Sequence, residues 1–373
     1  MQKKVTYQEV ARCAKVSIST VARVANGNAR VDPQIRERVR RAMLHLGAEL
    51  QGRKKKNQTL AFILSNREML HPFHSHVLVG AEAASSAHGY SMLFLCFHYP
   101  TSKPPRELHL PPILESSQQI SGVILAGTNS PNLLELLVRR RCPFAVLGNN
   151  VLGEWESGRY DTVWFDDLQG AYETTQHLQA LGHRDVWYAG NNRLTWYARR
   201  YEGYRRAMAE AGLPARLIEF DSVDDAQLGY LAAKSILSRG EPVTAIFAGG
   251  DQAAQGACKA LNERGLQVPE DVSVAGFNDV EAAMWHPPLT SVRVFPEQIS
   301  KRMVELLVNR INDPGLPPQH SVIPTQLVKR ESCDRFLPKR GPLAGERRSS
   351  ASARESEPKS DEKVVSNEEN SPS

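Results

Sequence analysis

Long apolar runs, leader-like segments and paired cysteines are all absent from this 373-residue chain. No apolar run approaches the roughly 18–20 residues of a membrane-spanning helix, so we expect no membrane partner. The N-terminus passes from two lysines directly into a polar helical pattern, so we do not expect export. The five cysteines are scattered without CxxC or Cys/His ligand spacing, which is typical of reduced thiols in a cytoplasmic protein.

Motifs for catalysis and cofactor binding are absent as well. Gly249-Gly250 completes neither a GxGxxG nor a Walker A motif, and no GxSxG or Ser/His/Asp spacing occurs. The neighbouring carboxylates Asp166-Asp167 point apart on a strand. His71, His74 and His76 have no Cys or carboxylate beside them at the spacing of zinc ligands. We therefore expect no enzyme, no cofactor and no metal site.

Positive charge is concentrated at the N-terminus. Residues 1–58 contain six Lys and eight Arg against three Glu and one Asp, a net charge of 14 − 4 = +10. Because the whole chain carries +5, the remaining residues sum to 5 − 10 = −5. A basic segment on a mildly acidic body predicts that this segment alone binds a polyanion.

The chain divides into four zones. Residues 1–47 are predicted to form a helical headpiece, 48–58 a basic linker, 59–336 an α/β body and 337–373 a disordered tail without aromatic residues. In the body, β-rich runs alternate with amphipathic helices, which predicts doubly wound parallel sheets in two lobes, with each strand covered on both faces. The runs are 60–64, 90–97, 122–127, 144–148, 162–165, 185–190, 244–249 and 272–276.

The headpiece pattern is typical of a helix-turn-helix. Thr6 has capping-box spacing to the following glutamate, Ser17 is placed to cap a second helix, and Asp32-Pro33 starts a third. The second helix presents small residues and Arg23 on its front. A recognition helix approaches base edges closely, and Arg can bond guanine O6 and N7 with two hydrogen bonds.

Residues 5–47, VTYQEVARCAKVSISTVARVANGNARVDPQIRERVRRAMLHLG, resemble the DNA-binding headpiece of the lactose-repressor (LacI/GalR) family of bacterial transcriptional regulators. The resemblance implies that Ile18 and Ser19 read bases together with Arg23, and that Ser17 and Thr20 contact phosphates. We also expect DNA contacts from Thr6, Asn28, Lys54, Lys55 and Lys56.

Two positions depart from the family pattern. Many members have Gly where this chain has Lys15, and a left-handed Lys there would cost about 1 kcal/mol. The linker AELQGRKKKNQ lacks the family's Pro-Asn opening. It also lacks the leucine that wedges into the minor groove in the family, because its one leucine, Leu50, lies too close to the headpiece to match that position. We therefore expect weak DNA bending and weak coupling between ligand and DNA.

The body resembles the family's periplasmic-binding-protein-like effector domain through DTVWFDDLQGAYETTQHLQALGHRDVWYAG, RRYEGYRRAMAEAGL, FAGGDQAAQGACKALNERGLQVPEDVSVAGFND, PPLTSVR and PTQLVKRES. This implies ligand binding and dimerisation by residues 59–336, as two Rossmann-like lobes joined by three crossovers. The first lobe takes about 59–161 and 291–320, and the second about 162–290 and 321–336. A small molecule is expected between them.

The resemblance also carries over effector positions one by one. Arg200 matches the family's effector-binding arginine, a bidentate donor. The other expected contacts are Phe73, Trp196, Asp251 and Asn278. Polar positions of the family are Ala126, Gly148 and Gly250 here, so a sugar bound in the usual way is not expected. Alternatives stay open: Phe73 and Trp196 as core or lobe-contact residues, and Asp251 as a helix cap.

We expect a homodimeric, cytoplasmic and nucleoid-associated regulator, a repressor, that binds a pseudopalindromic double-stranded DNA operator. A small-molecule effector, a sugar or related metabolite, would modulate it by closing the lobes. One rival is a two-lobe solute-binding or sugar-metabolism protein, against which the helix-turn-helix argues. The other is a ligand-independent regulator, which the altered pocket positions favour.

Overall fold

The computed structural model describes residues 5–25, 31–46, 58–67, 71–115, 119–153, 158–222 and 224–337. The linker up to residue 57, the tail from residue 338, and the predicted DNA contacts Asn28, Lys54, Lys55 and Lys56 lie outside these residues.

Three short helices form the headpiece: α1 (Tyr7–Ala14), α2 (Ile18–Ala25) and α3 (Pro33–His45). Thr6 closes the predicted capping box, since its Oγ1 accepts from the Glu9 amide (3.3 Å) while its own amide donates to the Glu9 carboxylate (2.7 Å). Asp32 caps α3 by accepting from the backbone amides of its first turn.

The headpiece core is small and fully apolar. Each helix contributes one buried valine to this core: Val10, Val21 and Val39. Ala11, Ala14, Ala42 and Met43 are buried in the same cluster. Lys15 ends α1 with a φ of 51°, the left-handed conformation for which Gly is preferred. The strain at Lys15 is about 1 kcal/mol, which the helix contacts readily offset.

The body contains twelve strands among the described residues: β1 (Thr59–Ser65), β2 (Ser91–Phe97), β3 (Gly122–Gly127), β4 (Phe144–Leu147), β5 (Asp161–Phe165), β6 (Val186–Gly190), β7 (Arg216–Glu219), β8 (Ala245–Ala248), β9 (Ser273–Asn278), β10 (Thr290–Arg293), β11 (His320–Ile323) and β12 (Gln326–Val328). Its helices are α4 (Pro72–Ala87), α5 (Pro112–Glu115), α6 (Pro131–Arg139), α7 (Asp167–Ala180), α8 (Thr195–Glu210), α9 (Asp225–Ser238), α10 (Asp251–Asn262) and α11 (Pro296–Asn312). Short 3₁₀ turns lie at Pro105–Glu107, Gly148–Asn150 and Ala282–Met284.

Two sheets confirm the doubly wound α/β fold with two lobes. The first lobe has the strand order β11-β5-β4-β3-β1-β2, and all its pairings are parallel. The second has the order β12-β10-β9-β8-β6-β7, in which only β12 is antiparallel to its neighbour. In each sheet the second strand lies on one side of the first strand (β1 or β6) and the later strands lie on its other side. The loops that follow these strands therefore leave in opposite directions, which opens a crevice at the strand ends.

The chain crosses between the lobes slightly later than the sequence indicates. The predicted crossovers are at about 161, 290 and 320, whereas β5, β10 and β11 keep Phe165, Arg293 and Ile323 in the lobe where each strand began. A strand stays in its sheet until its last inter-strand hydrogen bond, so each crossover lies in the loop after the strand.

One strand is not covered on both faces as predicted. β2 lies at the edge of the first sheet, and its residues alternate between partly buried and exposed, with Phe94 37% exposed. The central strands β1, β3 and β4 are buried almost throughout. Within the described residues, no helix is long and apolar enough to cross a membrane.

Candidate functional site

The front of α2 carries the expected DNA-reading residues on the headpiece surface. Ile18 is 47% exposed although it is apolar, and Ser19 and Arg23 are exposed beside it. Val21, which lies across the helix from Ser19 and Arg23, is fully buried. An exposed isoleucine at the start of a helix-turn-helix recognition helix suits apolar contact with a base edge.

Hydroxyl groups cluster at the start of α2. Ser17 Oγ lies 2.8 Å from both Ser19 Oγ and Thr20 Oγ1, and it accepts from the Thr20 amide at 3.2 Å. Ser17 therefore caps α2 as predicted from the sequence. Hydroxyls and a helix N-terminus are groups that bind phosphate oxygens.

A narrow cleft lies between the lobes, and its cavity volume is about 30 Å³ with the lobes as close together as they are here. Four predicted effector residues line it: Phe73, Trp196, Arg200 and Asn278. Other side chains of the lining are not marked as effector contacts by any motif in the sequence: Arg67, His71, His74, Asn150, Phe165, Tyr197 and Asp225. The cleft is therefore mostly aromatic and cationic, with Asp225 as the carboxylate in its lining.

Arg200 is 3% exposed and lies against the aromatic ring of Phe277, 3.9 Å from its centroid. Its guanidinium donates to the carbonyl oxygen of Gly249 and to Asn278 Oδ1, the latter at 3.2 Å. Its buried Nε has no hydrogen-bond partner among the described residues. Burial lowers the pKa of Arg200, although the nearby Asp167 carboxylate opposes this effect.

Three contacts tie the lobes together across the cleft. His71 Nε2 of the first lobe lies 3.5 Å from the Asp225 carboxylate of the second. The Arg67 guanidinium lies 4.7 Å from the centroid of the Trp196 ring. At the rim, Thr195 Oγ1 donates to the backbone carbonyl oxygen of Val151 at 2.7 Å. Trp196 is therefore a lobe-contact residue as well as a cleft residue.

Of the titratable groups in the cleft, His74 is neutral and Asp225 is ionised. Burial, together with the charges of Arg67 and His71, lowers the pKa of His74 well below its usual value, so its imidazole is neutral near pH 7. Burial alone would raise the pKa of Asp225, but the hydrogen bond to His71 and the charge of Arg67 bring it below its ordinary value. Asp225 is therefore a carboxylate.

Asp251 does not line the cleft, unlike the other expected effector residues. It is the first residue of α10, but it makes no capping hydrogen bond to that helix. Its carboxyl instead accepts from Ser291 Oγ at 2.6 Å and from the Val280 amide at 3.4 Å. The structure therefore places Asp251 beside β10 and the loop after β9, away from the cleft surface.

Two first-lobe positions are closed to ligand. Ala126 is fully buried within β3. A Cβ atom on Gly148 would lie 2.1 Å from Cε2 of the Trp164 indole, so Trp164 already fills the space that a polar side chain would need there. Trp164 is itself held by a 3.0 Å hydrogen bond from its indole nitrogen to Thr162 Oγ1.

Comparison with known proteins gives matches to both parts of the chain. Residues 6–47 match the family "Bacterial regulatory proteins, lacI family", and residues 175–333 match a periplasmic binding protein-like domain. The HTH-type transcriptional regulator CelR of Thermobifida fusca is 31% identical over 345 residues, which span 89% of this chain and 99% of the relative.

The chain belongs to the LacI family. Members of similar likeness include the HTH-type transcriptional repressor CytR of Escherichia coli, 28% identical over 89% of this chain and 97% of CytR. The relatives are transcriptional regulators, so this LacI-family chain is a DNA-binding transcriptional regulator.

Solved structures agree with this assignment. A complex of the transcriptional regulator CelR with cellobiose has a TM-score of 0.65 at 29% identity and covers 88% of this chain and 100% of that chain. The lac repressor dimer bound to operator and an anti-inducer has a TM-score of 0.69 over 89% of this LacI-family chain and all of that one. At 23% identity the second likeness shows the fold alone.

Proposed function

We propose that this regulator represses transcription as a homodimer on a pseudopalindromic operator, and that a small molecule bound between the lobes modulates it. The observation that carries the DNA part is the surface of α2, where Ile18, Ser19 and Arg23 stand exposed on a capped recognition helix. The regulator CelR and the repressor CytR match this chain over nearly its whole length, which supports a DNA-binding role of the same kind.

The proposed DNA contacts divide into two classes. Ile18, Ser19 and Arg23 read base edges in the major groove, where small side chains allow close approach and Arg recognises guanine. Ser17 and Thr20 contact phosphates, together with Thr6 at the start of α1. Asn28 and Lys54, Lys55 and Lys56 add contacts that rest on the sequence alone.

The proposed effector site is the cleft around Arg200. Its buried guanidinium, with an Nε that has no partner among the described residues, offers donors for a ligand between the two lobes. CelR binds cellobiose in its solved complex, and another LacI-family structure contains ribose. Lobe closure would then alter the spacing of the two headpieces and hence the affinity for DNA.

We further propose that the protein acts in the cytoplasm on the nucleoid, and that it regulates rather than catalyses. A second candidate function is ligand-independent regulation. The contacts of His71 with Asp225 and of Arg67 with Trp196 favour it, because the protein's own side chains already tie the lobes together.

Selection of bound sequences from random duplex DNA tests the proposal, with the complex mass measured on the selected site. We expect a pseudopalindrome bound by two chains. Repetition with candidate small molecules separates the two functions: a compound that changes affinity for the selected operator supports the effector, and equal affinity with every compound supports ligand-independent regulation. A selection that returns no preferred sequence would contradict operator recognition.

A further inference from the structure

The charged groups in and behind the cleft do not balance. Arg67 and Arg200 line it, and Asp225 is the carboxylate among its lining residues. Directly behind Arg200, the Asp167 carboxylate is already paired with Arg199 at 2.7 Å. Among the described residues, the sum is three cationic guanidinium groups against two carboxylates, even when the imidazoles of His71 and His74 are neutral. One positive charge is left over in a site that is largely removed from water.

The surplus charge is centred on Arg200. Among the described residues, the partners of its guanidinium are neutral oxygens, those of Gly249 and Asn278, and none is a carboxylate. An Arg side chain carries five N–H donors, and these two contacts leave three of them for other partners. A buried charge without a counter-ion is costly, so an anion in the cleft would be strongly favoured.

The charged and amide groups that would hold a neutral sugar next to Arg200 are partly engaged. Asp225 is engaged by His71, and Asn278 Oδ1 already accepts from Arg200. Gly250 has no side chain, and the Trp164 indole blocks any side chain at Gly148. Sugar hydroxyls donate as well as accept, and the remaining neutral acceptors of the lining are the Asn150 amide, His74 Nδ1 and the Tyr197 hydroxyl, none of which balances the charge of Arg200.

Aromatic side chains form the rest of the lining. Phe73 and Phe165 pack edge to face with centroids 5.7 Å apart, and Trp196 and Tyr197 lie on the opposite lobe. Flat aromatic walls favour a flat ring in the ligand.

We propose that the effector of this regulator is a small organic carboxylate that carries a flat ring and binds as a monoanion to Arg200. The proposal rests on the proposed function, in that it assumes a ligand in the cleft, and it specifies the chemical class of that ligand. The planar guanidinium matches a carboxylate with two parallel hydrogen bonds, which an ammonium group cannot reproduce. Arg67 at the cleft edge would add a second positive charge.

Matched pairs of compounds test the charge requirement on the full-length protein. Benzoate and benzamide differ in charge on the same ring, as glucuronate and glucose do on a sugar ring. We expect millimolar benzoate to raise the unfolding midpoint by several degrees, glucuronate to raise it less, and benzamide and glucose to leave it unchanged. Sodium chloride at equal ionic strength controls for screening and is expected to have no effect.

Variants locate the binding group. Arg200→Gln is expected to abolish the benzoate shift and Arg200→Lys to reduce it, because Lys keeps the charge but lacks the planar fork. Arg205→Gln removes the same charge from an exposed position on α8 and is expected to keep the full shift. If Arg200→Gln does not fold, Arg67→Gln is used in its place, and a smaller shift is expected.

The outcomes distinguish this proposal from the broader one. Equal shifts with benzoate and benzamide, or a full benzoate shift in Arg200→Gln, would overturn the anionic effector. Stabilisation by glucose without stabilisation by either acid would overturn it too, while leaving a sugar effector in place. No stabilisation by any of the four compounds would count against both the carboxylate and an effector in this cleft.

Discussion

His71 and Asp225 face each other across the cleft with 3.5 Å between the imidazole Nε2 and the carboxylate, and they belong to different lobes. His71 caps α4 of the first lobe, and Asp225 is the first residue of α9 in the second. Both side chains are largely buried, so water screens this contact much less than it screens a surface ion pair. The pair therefore connects the two lobes directly, and in the proposed function the relative position of the lobes controls the affinity for DNA.

The first prediction concerns the pH dependence of this connection. Because the pKa of Asp225 lies below its ordinary value in the folded protein, its contribution to stability is present above the unfolded carboxyl pKa and is lost as pH falls through the folded value. We expect Asp225→Asn to lose about 1–3 kcal/mol of unfolding free energy near pH 6. The deficit should shrink below about pH 4, where the carboxyl of the unfolded chain takes up its proton, and disappear at the lower pH where the folded carboxylate does so too.

Urea unfolding of parent and variant across this pH range measures the difference. Glu202→Gln serves as the control, because Glu202 pairs with Arg205 at the surface and should cost about 0–1 kcal/mol. A deficit for Asp225→Asn that stays constant down to pH 3 would show that charge is not the source of the effect.

The second prediction concerns Asp251, whose pKa is raised both by burial and by the nearby Asp279 charge. Burial raises the pKa of Asp251 to about 7 from a usual 3.8. Between these two values the folded state holds the proton and the unfolded state does not, so stability falls as pH rises from about 4 to 7. Three pKa units correspond to at most about 4 kcal/mol.

Asp251→Asn should remove this loss, because an amide does not titrate. We expect the difference in unfolding free energy between variant and parent to move in favour of the variant as pH rises from 4 to 7, and to be level above pH 8. Urea titrations at several pH values measure the slope. Parallel curves for the two proteins would mean that Asp251 titrates normally.

The third prediction concerns the close approach of Gly148 and Trp164. A methyl group at Gly148 would lie within 2.6 Å of three atoms of the indole ring, so Gly148→Ala should cost about 1–3 kcal/mol of stability. Gly250→Ala is the control from the same cleft, since its added Cβ would come no closer than 3.5 Å to the Tyr197 hydroxyl.

A double-mutant cycle with Trp164→Ala tests the cause. If the indole is the obstacle, adding Gly148→Ala to Trp164→Ala should cost almost nothing, with a coupling energy of about 1 kcal/mol or more. An additive pair of substitutions would place the strain elsewhere.

The sequence predicts the sheets well where the strands are central. All eight apolar runs fall on strands, and except for the edge strand β2 these strands are apolar along their length because both of their faces are covered. The same reasoning does not find β7, β11 and β12, which are edge strands of three or four residues with partly exposed side chains and carry little apolar signal. β10 is central but also short, with Thr and Ser at its start.

The site is predictable only where a local motif marks it. Arg200 can be found because it sits in the family's Arg-x-x-Gly-Tyr segment. The pairing of His71 with Asp225 leaves no trace in the sequence, because it depends on how two lobes meet. Asp251, expected from the sequence to contact an effector, is not among the cleft-lining residues, because a residue at a strand end can face the cleft or the neighbouring strand and loop. Hydrogen bonds from Ser291 and Val280 decide between them.

The fourth prediction concerns the linker, which lies outside the described residues. Its sequence lacks a leucine at the wedge position and carries three consecutive lysines. A wedge kinks DNA by unstacking a base step, so we expect nearly straight operator DNA here. Replacing Lys54, Lys55 and Lys56 with Gln removes six lysines from a dimer and should reduce the slope of log K against log salt by up to about 5.4, or roughly 0.9 for each phosphate that is no longer neutralised.

Circular-permutation gel shifts on the selected operator measure the bend, and binding titrations over a range of salt concentrations measure the slope. A bend beyond about 30° would mean that the short linker still forms a working wedge. An unchanged salt slope in the triple variant would remove these lysines from the DNA contacts.

The last prediction concerns base reading by Arg23. Its side chain is exposed on the same face of α2 as Ser19, and an Arg paired with guanine contributes only at the base pair it reads. Arg23→Ala should therefore cost about 1–3 kcal/mol on the selected operator and relax the preference at one position of each half-site. Arg40→Ala removes an equal charge from an exposed position on α3 and should leave the sequence preference intact. Competition binding with operators substituted one base pair at a time measures both variants. Equal losses by Arg23→Ala on operator and on random DNA would assign Arg23 to the phosphate backbone, because a phosphate contact strengthens binding to all sequences alike.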